Sequence, residues 1–191
     1  MKELIKNEIK LSLEVKKKTL SDPLIISQIE EIVNCCLYSL KNGGKIIFCG
    51  NGGSFADSQH LAAEFISRLR FDRNPLPSIA LGTNSSNMSA IGNDYGYNEV
   101  FKREIIALGN KKDIFIPIST SGNSTNVIEA INAAKKLNMK IYAFSGGNGG
   151  KIKNICNTLL VPSNSTEKIQ EVHIMFGHII CYLTEKLYFD K

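Results

Sequence analysis

Apolar residues fall into two patterns along the chain. Five short, nearly continuous runs occupy positions 45–49, 78–81, 113–118, 140–144 and 158–161. A strand covered on both faces has no polar side to display, so unbroken apolar runs of this length predict buried strands of a parallel sheet. Between the runs, apolar positions recur at helical spacing, as at Val127, Ile128, Ile131, Ala134 and Leu137. Strands alternating with helices predict an α/β fold built on a parallel, doubly wound sheet.

The ends differ from the middle. Residues 2–20 and 24–41 carry helical patterns separated by Ser21-Asp22-Pro23, a helix start with proline in its first turn. Residues 165–187 read as one long helix opened by Ser165 or Thr166, with Glu167 and Gln170 close behind. Nothing of low complexity divides the chain, so one domain is expected over 1–191. It comprises N-terminal helices for oligomer contacts (1–42), an α/β core (45–162) and a C-terminal helix (165–189).

Composition narrows the class. Of 191 residues, 43% are apolar and 21% charged, which fits neither a disordered tail nor a membrane protein. The net charge of +5 raises the question of nucleic acid. However, the early lysines (Lys2, Lys6, Lys10, Lys16, Lys17, Lys18) are threaded with Glu3, Glu8 and Glu14, and no basic stripe with interleaved aromatics appears. Neither a nucleic-acid nor a membrane partner is expected. The five cysteines show no C-x-x-C spacing and stand mostly in apolar surroundings, as reduced thiols of a cytoplasmic protein would.

Three strands run into turns rich in glycine: Gly50-Asn51-Gly52-Gly53-Ser54, Ser119-Thr120-Ser121-Gly122-Asn123-Ser124, and Ser145-Gly146-Gly147-Asn148-Gly149-Gly150. The carboxyl ends of parallel strands form the ligand crevice of such sheets, so these turns would line one edge. The middle turn places four hydroxyls immediately before a helix, a setting that suits a phosphate monoester. It has no lysine of the Walker type. Serine and asparagine are also ordinary capping and turn residues, so phosphate binding and plain capping both remain open on composition.

A second set of residues carries proton or metal chemistry. His60 and Glu64 are four apart on an expected helix and share a face. Gln170 and His178 are eight apart on the last helix, with His173 between them. An imidazole and a carboxylate brought to a sugar phosphate could move protons between adjacent carbons, and the same groups could bind a divalent metal.

Four blocks in order resemble the phosphoheptose isomerases of the sugar isomerase (SIS) domain family. They are Gly50-Asn51-Gly52-Gly53-Ser54 with Asp57, His60 and Glu64; Ile91-Gly92-Asn93-Asp94-Tyr95-Gly96; Ile118 to Ser124; and Ile169-Gln170-Glu171-Val172-His173 with His178. The resemblance implies a three-layer αβα sandwich, flavodoxin-like, with a five-stranded parallel sheet and extra N- and C-terminal helices. It also implies a homotetramer with shared active sites. The implied reaction takes sedoheptulose 7-phosphate to D-glycero-D-manno-heptose 7-phosphate, the first step towards nucleotide-activated heptose for surface polysaccharide. Carried over by motif, Glu64 is the base and His178 the acid. Ser119, Thr120, Ser121 and Ser124 grip the phosphate, while Asn51, Gly52, Gly53, Asn93, Asp94, Glu64 and Gln170 line the sugar site. His60, Glu64, Gln170 and His178 are the implied zinc ligands, although glutamine is an uncommon one.

The rival from another class is a non-catalytic SIS binding module resembling the bacterial replication-initiator-associating protein. That protein lacks the counterparts of Glu64 and His178, and both are present here. A sugar isomerase of the arabinose 5-phosphate type is a second rival, which would bring regulatory domains for which this chain has no room.

Overall fold

The computed structural model describes residues 1–190. In chain order it contains α1 (Lys2–Leu20), α2 (Pro23–Lys41), β1 (Ile46–Gly50), α3 (Gly53–Ile66), β2 (Ser78–Ala80) and α4 (Ser85–Tyr95). There follow α5 (Val100–Leu108), β3 (Ile114–Ile118), α6 (Thr125–Lys136), β4 (Lys140–Gly146), β5 (Asn157–Val161) and α7 (Thr166–Tyr188). All four strand pairings are parallel, in the order β2-β1-β3-β4-β5.

Every residue of β1 and β3 is buried, as their unbroken apolar runs require. Side chains alternate between two cores because successive residues of a strand point to opposite faces. Ile46, Phe48, Ile114, Ile116, Ile118 and Phe144 meet α2, α3 and α7 through Ile32, Leu61, Phe65, Val172 and Phe176. Ile47, Cys49, Phe115 and Ala143 meet α5 and α6 through Phe101, Ile105, Val127 and Ile131. The result is the expected three-layer sandwich. Pro117 lies within central β3, yet the register with β4 is constant across it: Phe115 faces Ile141 and Ile118 faces Phe144.

The helix starts follow the sequence. Asp22 caps α2 by accepting from the Leu24 amide at 2.9 Å, with Pro23 in the first turn. Three features differ from the expected pattern. Two helices, α4 and α5, fill the β2–β3 connection, and no residue of α4 is buried. A single 3₁₀ turn, Ile152–Asn154, takes the place of a helix between β4 and β5. Finally, α1 buries only Thr19, leaving Leu4, Ile5, Ile9, Leu11 and Leu13 exposed.

The five cysteines are free thiols. Cys36 is buried, whereas Cys35 reaches Tyr142 Oη at 3.1 Å, so the neighbours do point apart. No helix among the described residues is long and apolar enough to cross a membrane.

Candidate active site

Helix α3 leaves the carboxyl end of β1 through Gly52, whose φ of +56° is a conformation that favours glycine. Helix α7 lies alongside α3, and glycines on both helices allow the close approach. A Cβ at Gly177 would sit 2.5 Å from Leu61 Cδ1 and 2.9 Å from Leu61 Cγ. A Cβ at Gly53 would sit 2.9 Å from Gln170 Cδ. The two contacts advance together along both helices, from Gly53 and Gln170 to Leu61 and Gly177, so α3 and α7 run parallel.

This packing brings His60 and Glu64 of α3 to His178 of α7. His60 Nε2 lies 2.8 Å from His178 Nε2 and 3.3 Å from Glu64 Oε1. The ligand atoms of all three fall within 4.8 Å of one another. The Glu64 side chain is largely buried, 16% exposed, against 48% for His60. Burial holds His178 below the ordinary imidazole range; nearby His60 pushes the same way, and Glu64 opposes both.

The far end of α3 is fixed by a buried ion pair. Arg73 Nε meets Glu185 Oε2 at 3.0 Å, both side chains being almost fully enclosed. The Arg73 guanidinium donates to the Glu64 carbonyl at 2.8 Å and the Phe65 carbonyl at 2.6 Å. Those carbonyls end the helix and lack partners within it. Glu185 also accepts from the Leu69 and Arg70 amides. The peptide that bears Glu64 is thereby tied to α7.

At the carboxyl edge of the sheet the hydroxyl turn follows β3. Ser119 Oγ and Ser124 Oγ are 3.1 Å apart. Ser124 precedes α6 but makes no side-chain cap, so its hydroxyl is turned towards Ser119. Ser121 Oγ accepts from the Asn123 amide at 3.2 Å. A cavity of about 650 Å³ opens beside the turn, lined by Thr120, Ser121, Gly147, Asn148, Asn164 and Thr166 among others. Asn51 binds Asn126 through a reciprocal amide pair at 2.8 and 2.9 Å and accepts from Tyr97 Oη at 3.0 Å. The first glycine turn is thereby latched to the start of α6.

The SIS domain family model matches residues 13–146. A phosphoheptose isomerase from Clostridium acetobutylicum is 48% identical over all of this chain and 98% of its own length. One from Sulfurimonas denitrificans is 48% identical over 97% of this chain and 96% of its own. Among solved structures, the phosphoheptose isomerase of Francisella tularensis superposes with a TM-score of 0.91 at 34% identity, covering 96% of this chain and 97% of that one. The chain belongs to the phosphoheptose isomerase branch of the SIS domain family. It is a sugar phosphate isomerase of the aldose–ketose type.

In the isomerase, the α3–α7 pair presents polar side chains at two separate levels. His60, Glu64 and His178 form one cluster, whereas the Gln170 carboxamide lies against Gly53 at the start of α3. Gln170 and His178 share a helix face, but eight residues of α-helix span about 12 Å. Asn93 and Asp94 stand on exposed α4, where the Asn93 amide donates to Asp94 Oδ1 at 2.8 Å. Tyr97, just beyond α4, links that segment to Asn51. Two imidazole nitrogens and a carboxylate oxygen are the donor types of a three-ligand zinc site, and their convergence at His60, Glu64 and His178 fits one divalent cation.

Asp57 is the residue whose role the motif did not disclose. Its Oδ2 is buried without a hydrogen-bond partner among the described residues. Burial pushes its carboxyl up to about 6, with His60 pulling the other way. Asn126, Tyr97 and Arg73 also shape the site through contacts that join distant parts of the chain, for which spacing carries no signal.

Proposed function

We propose that this isomerase converts D-sedoheptulose 7-phosphate into D-glycero-D-manno-heptose 7-phosphate. The observation that carries the reading is the convergence of Glu64 and His178, from helices far apart in sequence, in a chain that also retains the hydroxyl turn. Ser119, Thr120, Ser121 and Ser124 bind the phosphate, with backbone N–H groups at the start of α6. Asn51, Gly52, Gly53, Asn93, Asp94 and Gln170 line the sugar. Phosphate binding at the distant end supplies orientation that the reacting carbons use.

Glu64 takes the proton from C1 of the ketose and returns one to C2, passing through a cis-enediol. His178 moves the proton between the C1 and C2 oxygens. Glu64 Oε1 is the oxygen engaged with His60, 3.3 Å away. A divalent cation, zinc by its donor set, would be held by His60, Glu64 and His178, and when bound would supply Lewis-acid polarisation of the sugar oxygens. Gln170, the fourth ligand the resemblance implied, lies against Gly53 at the start of α3 and is assigned to the sugar site instead.

The enzyme acts in the cytoplasm as a homotetramer with shared sites, at the first step towards nucleotide-activated heptose for surface polysaccharide. The exposed apolar positions of α1 and the apolar groove lined by Ile26, Ile29, Val33, Ile179, Leu183 and Leu187 support self-association. Incubating the full chain with sedoheptulose 7-phosphate, with and without Zn2+, while following the aldose C1 proton by NMR tests the reaction. Conversion is the expected result. No conversion under either condition overturns it and favours a binding module.

A further inference from the structure

Behind the hydroxyl turn, a buried chain of polar groups runs from α7 through β4 to β3. His173 is fully enclosed, its ring beside Phe144 with centroids 5.8 Å apart. Its Nε2 lies 3.2 Å from the Ser145 carbonyl oxygen. A carbonyl oxygen can only accept, so this ring nitrogen carries the hydrogen. The other nitrogen, Nδ1, is buried with no partner among the described residues. Burial pushes the imidazole down to about 4, which keeps it neutral and the donor in place at neutral pH. Ser145, also fully enclosed, donates from Oγ to the Ser119 carbonyl at 2.8 Å. The Ser119 hydroxyl in turn faces that of Ser124.

We propose that Ser145 and His173 are positioning residues that hold the hydroxyl turn in register with α7, the helix that carries Gln170 and His178. A position needed only for packing, beside Phe144, which itself packs on Phe176, would take an apolar side chain without stranding a ring nitrogen. Backbone bonds alone also hold the strands together here, through Ser119 N to Phe144 O and Gly146 N to Thr120 O, both at 3.0 Å. What the two side chains add is a link from α7 to the turn. The hydroxyl turn is thereby braced against α7 inside one subunit, which keeps its hydroxyls and amides in the arrangement that grips phosphate. This inference rests on the reading that the turn binds substrate phosphate.

Ser145→Ala is the cleanest test, because the Ser119 carbonyl still accepts from the Gly122 amide at 3.1 Å and is not left orphaned. Loss of one neutral hydrogen bond predicts KM for the sugar phosphate and the inhibition constant of inorganic phosphate each rising about 3–10-fold, with kcat within about twofold. His173→Leu should move both constants the same way, and His173→Gln, which can donate from its own Nε2, should restore them. If His173→Leu fails to fold, Ser145→Ala carries the test alone. Unchanged constants in Ser145→Ala, with only a lowered Tm, overturn the proposal. Ser121→Ala separates the two readings. If it weakens phosphate inhibition while Ser145→Ala does not, the positioning role fails and the phosphate turn stands; if neither variant weakens it, the phosphate assignment fails.

Discussion

Gly177→Ala tests whether the close approach of α3 and α7 assembles the proposed acid–base cluster of His60, Glu64 and His178. The added methyl would lie 2.5 Å from Leu61 Cδ1 and 2.9 Å from Cγ, where carbon atoms prefer roughly 3.5–4.0 Å. Leu61 is completely buried, so the helices must part or shift by about 1 Å. Overpacking of this kind costs about 1–3 kcal/mol, and alanine returns about 1 kcal/mol of helix propensity relative to glycine. The net loss is therefore about 0–2 kcal/mol, and at about 2–4 °C per kcal/mol the Tm falls by no more than about 8 °C. Activity should suffer more, because His178 and His60 adjoin the two clashing residues and a misplacement near 1 Å costs about 100-fold. Calorimetry and NMR turnover measure the two effects. Adding Leu61→Ala should recover activity while lowering Tm further, since it vacates the space at the expense of a buried side chain. A Gly177→Ala variant with kcat/KM within twofold of the parent would show that the cluster does not depend on this close approach.

Glu64→Gln and His178→Gln should each lower kcat by about 100-fold to 10,000-fold with the Tm nearly unchanged; near-full turnover in either would remove its assigned role. His173 titrates near 4 in the fold against 6.5 as its reference. The unfolded chain therefore binds more protons between those values, and stability falls as pH drops through that window, by at most roughly 3 kcal/mol. In urea melts at pH 7.5 and 5, His173→Gln should lack this component and gain on the parent at the lower pH; a constant gap would contradict it. Asp57 is raised from 3.8 to about 6, so its ionised form opposes folding above about pH 6, and this cost disappears below the reference value. Solvent screening of a half-buried group leaves about 1 kcal/mol of it. Asp57→Asn should raise Tm at pH 7.5 and match the parent near pH 3.5, and a lowered Tm at pH 7.5 would count against that account.

The central strands were legible because a strand buried on both faces must be apolar throughout, and positions 45–49 differ from β1 by a single residue at each end; the edge strands β2 and β5 are only partly buried yet keep short apolar runs. Helix α1 was plain from its periodicity, and α2 and α7 from their starting residues as well. The run that forms α4, Ser-Ser-Asn-Met-Ser-Ala-Ile-Gly-Asn-Asp-Tyr, offered no apolar stripe, and the structure explains why: nothing of it is buried. Turn composition disclosed where hydroxyls gather but not which way they point, so only the geometry shows Ser124 facing Ser119 rather than capping α6. Helical spacing puts Gln170 and His178 on one face, yet a shared face is not a shared place. The bond from Ser145 to Ser119 spans 26 positions, and no local pattern encodes a contact of that reach.

The meeting of His60 with His178 closes a span of 118 positions. All five strands precede α7 in chain order, so a ribosome has delivered the whole sheet before the helix that brings His178 to His60 and Glu64 emerges. Until then the apolar surface formed by α2, α3 and one face of the sheet lacks its cover of Val172, Phe176 and Ile180. Long-range contacts of this kind form late, because loop closure must be met before the contact returns anything. A chain that stopped before α7 would lack His178 and would leave that apolar face uncovered.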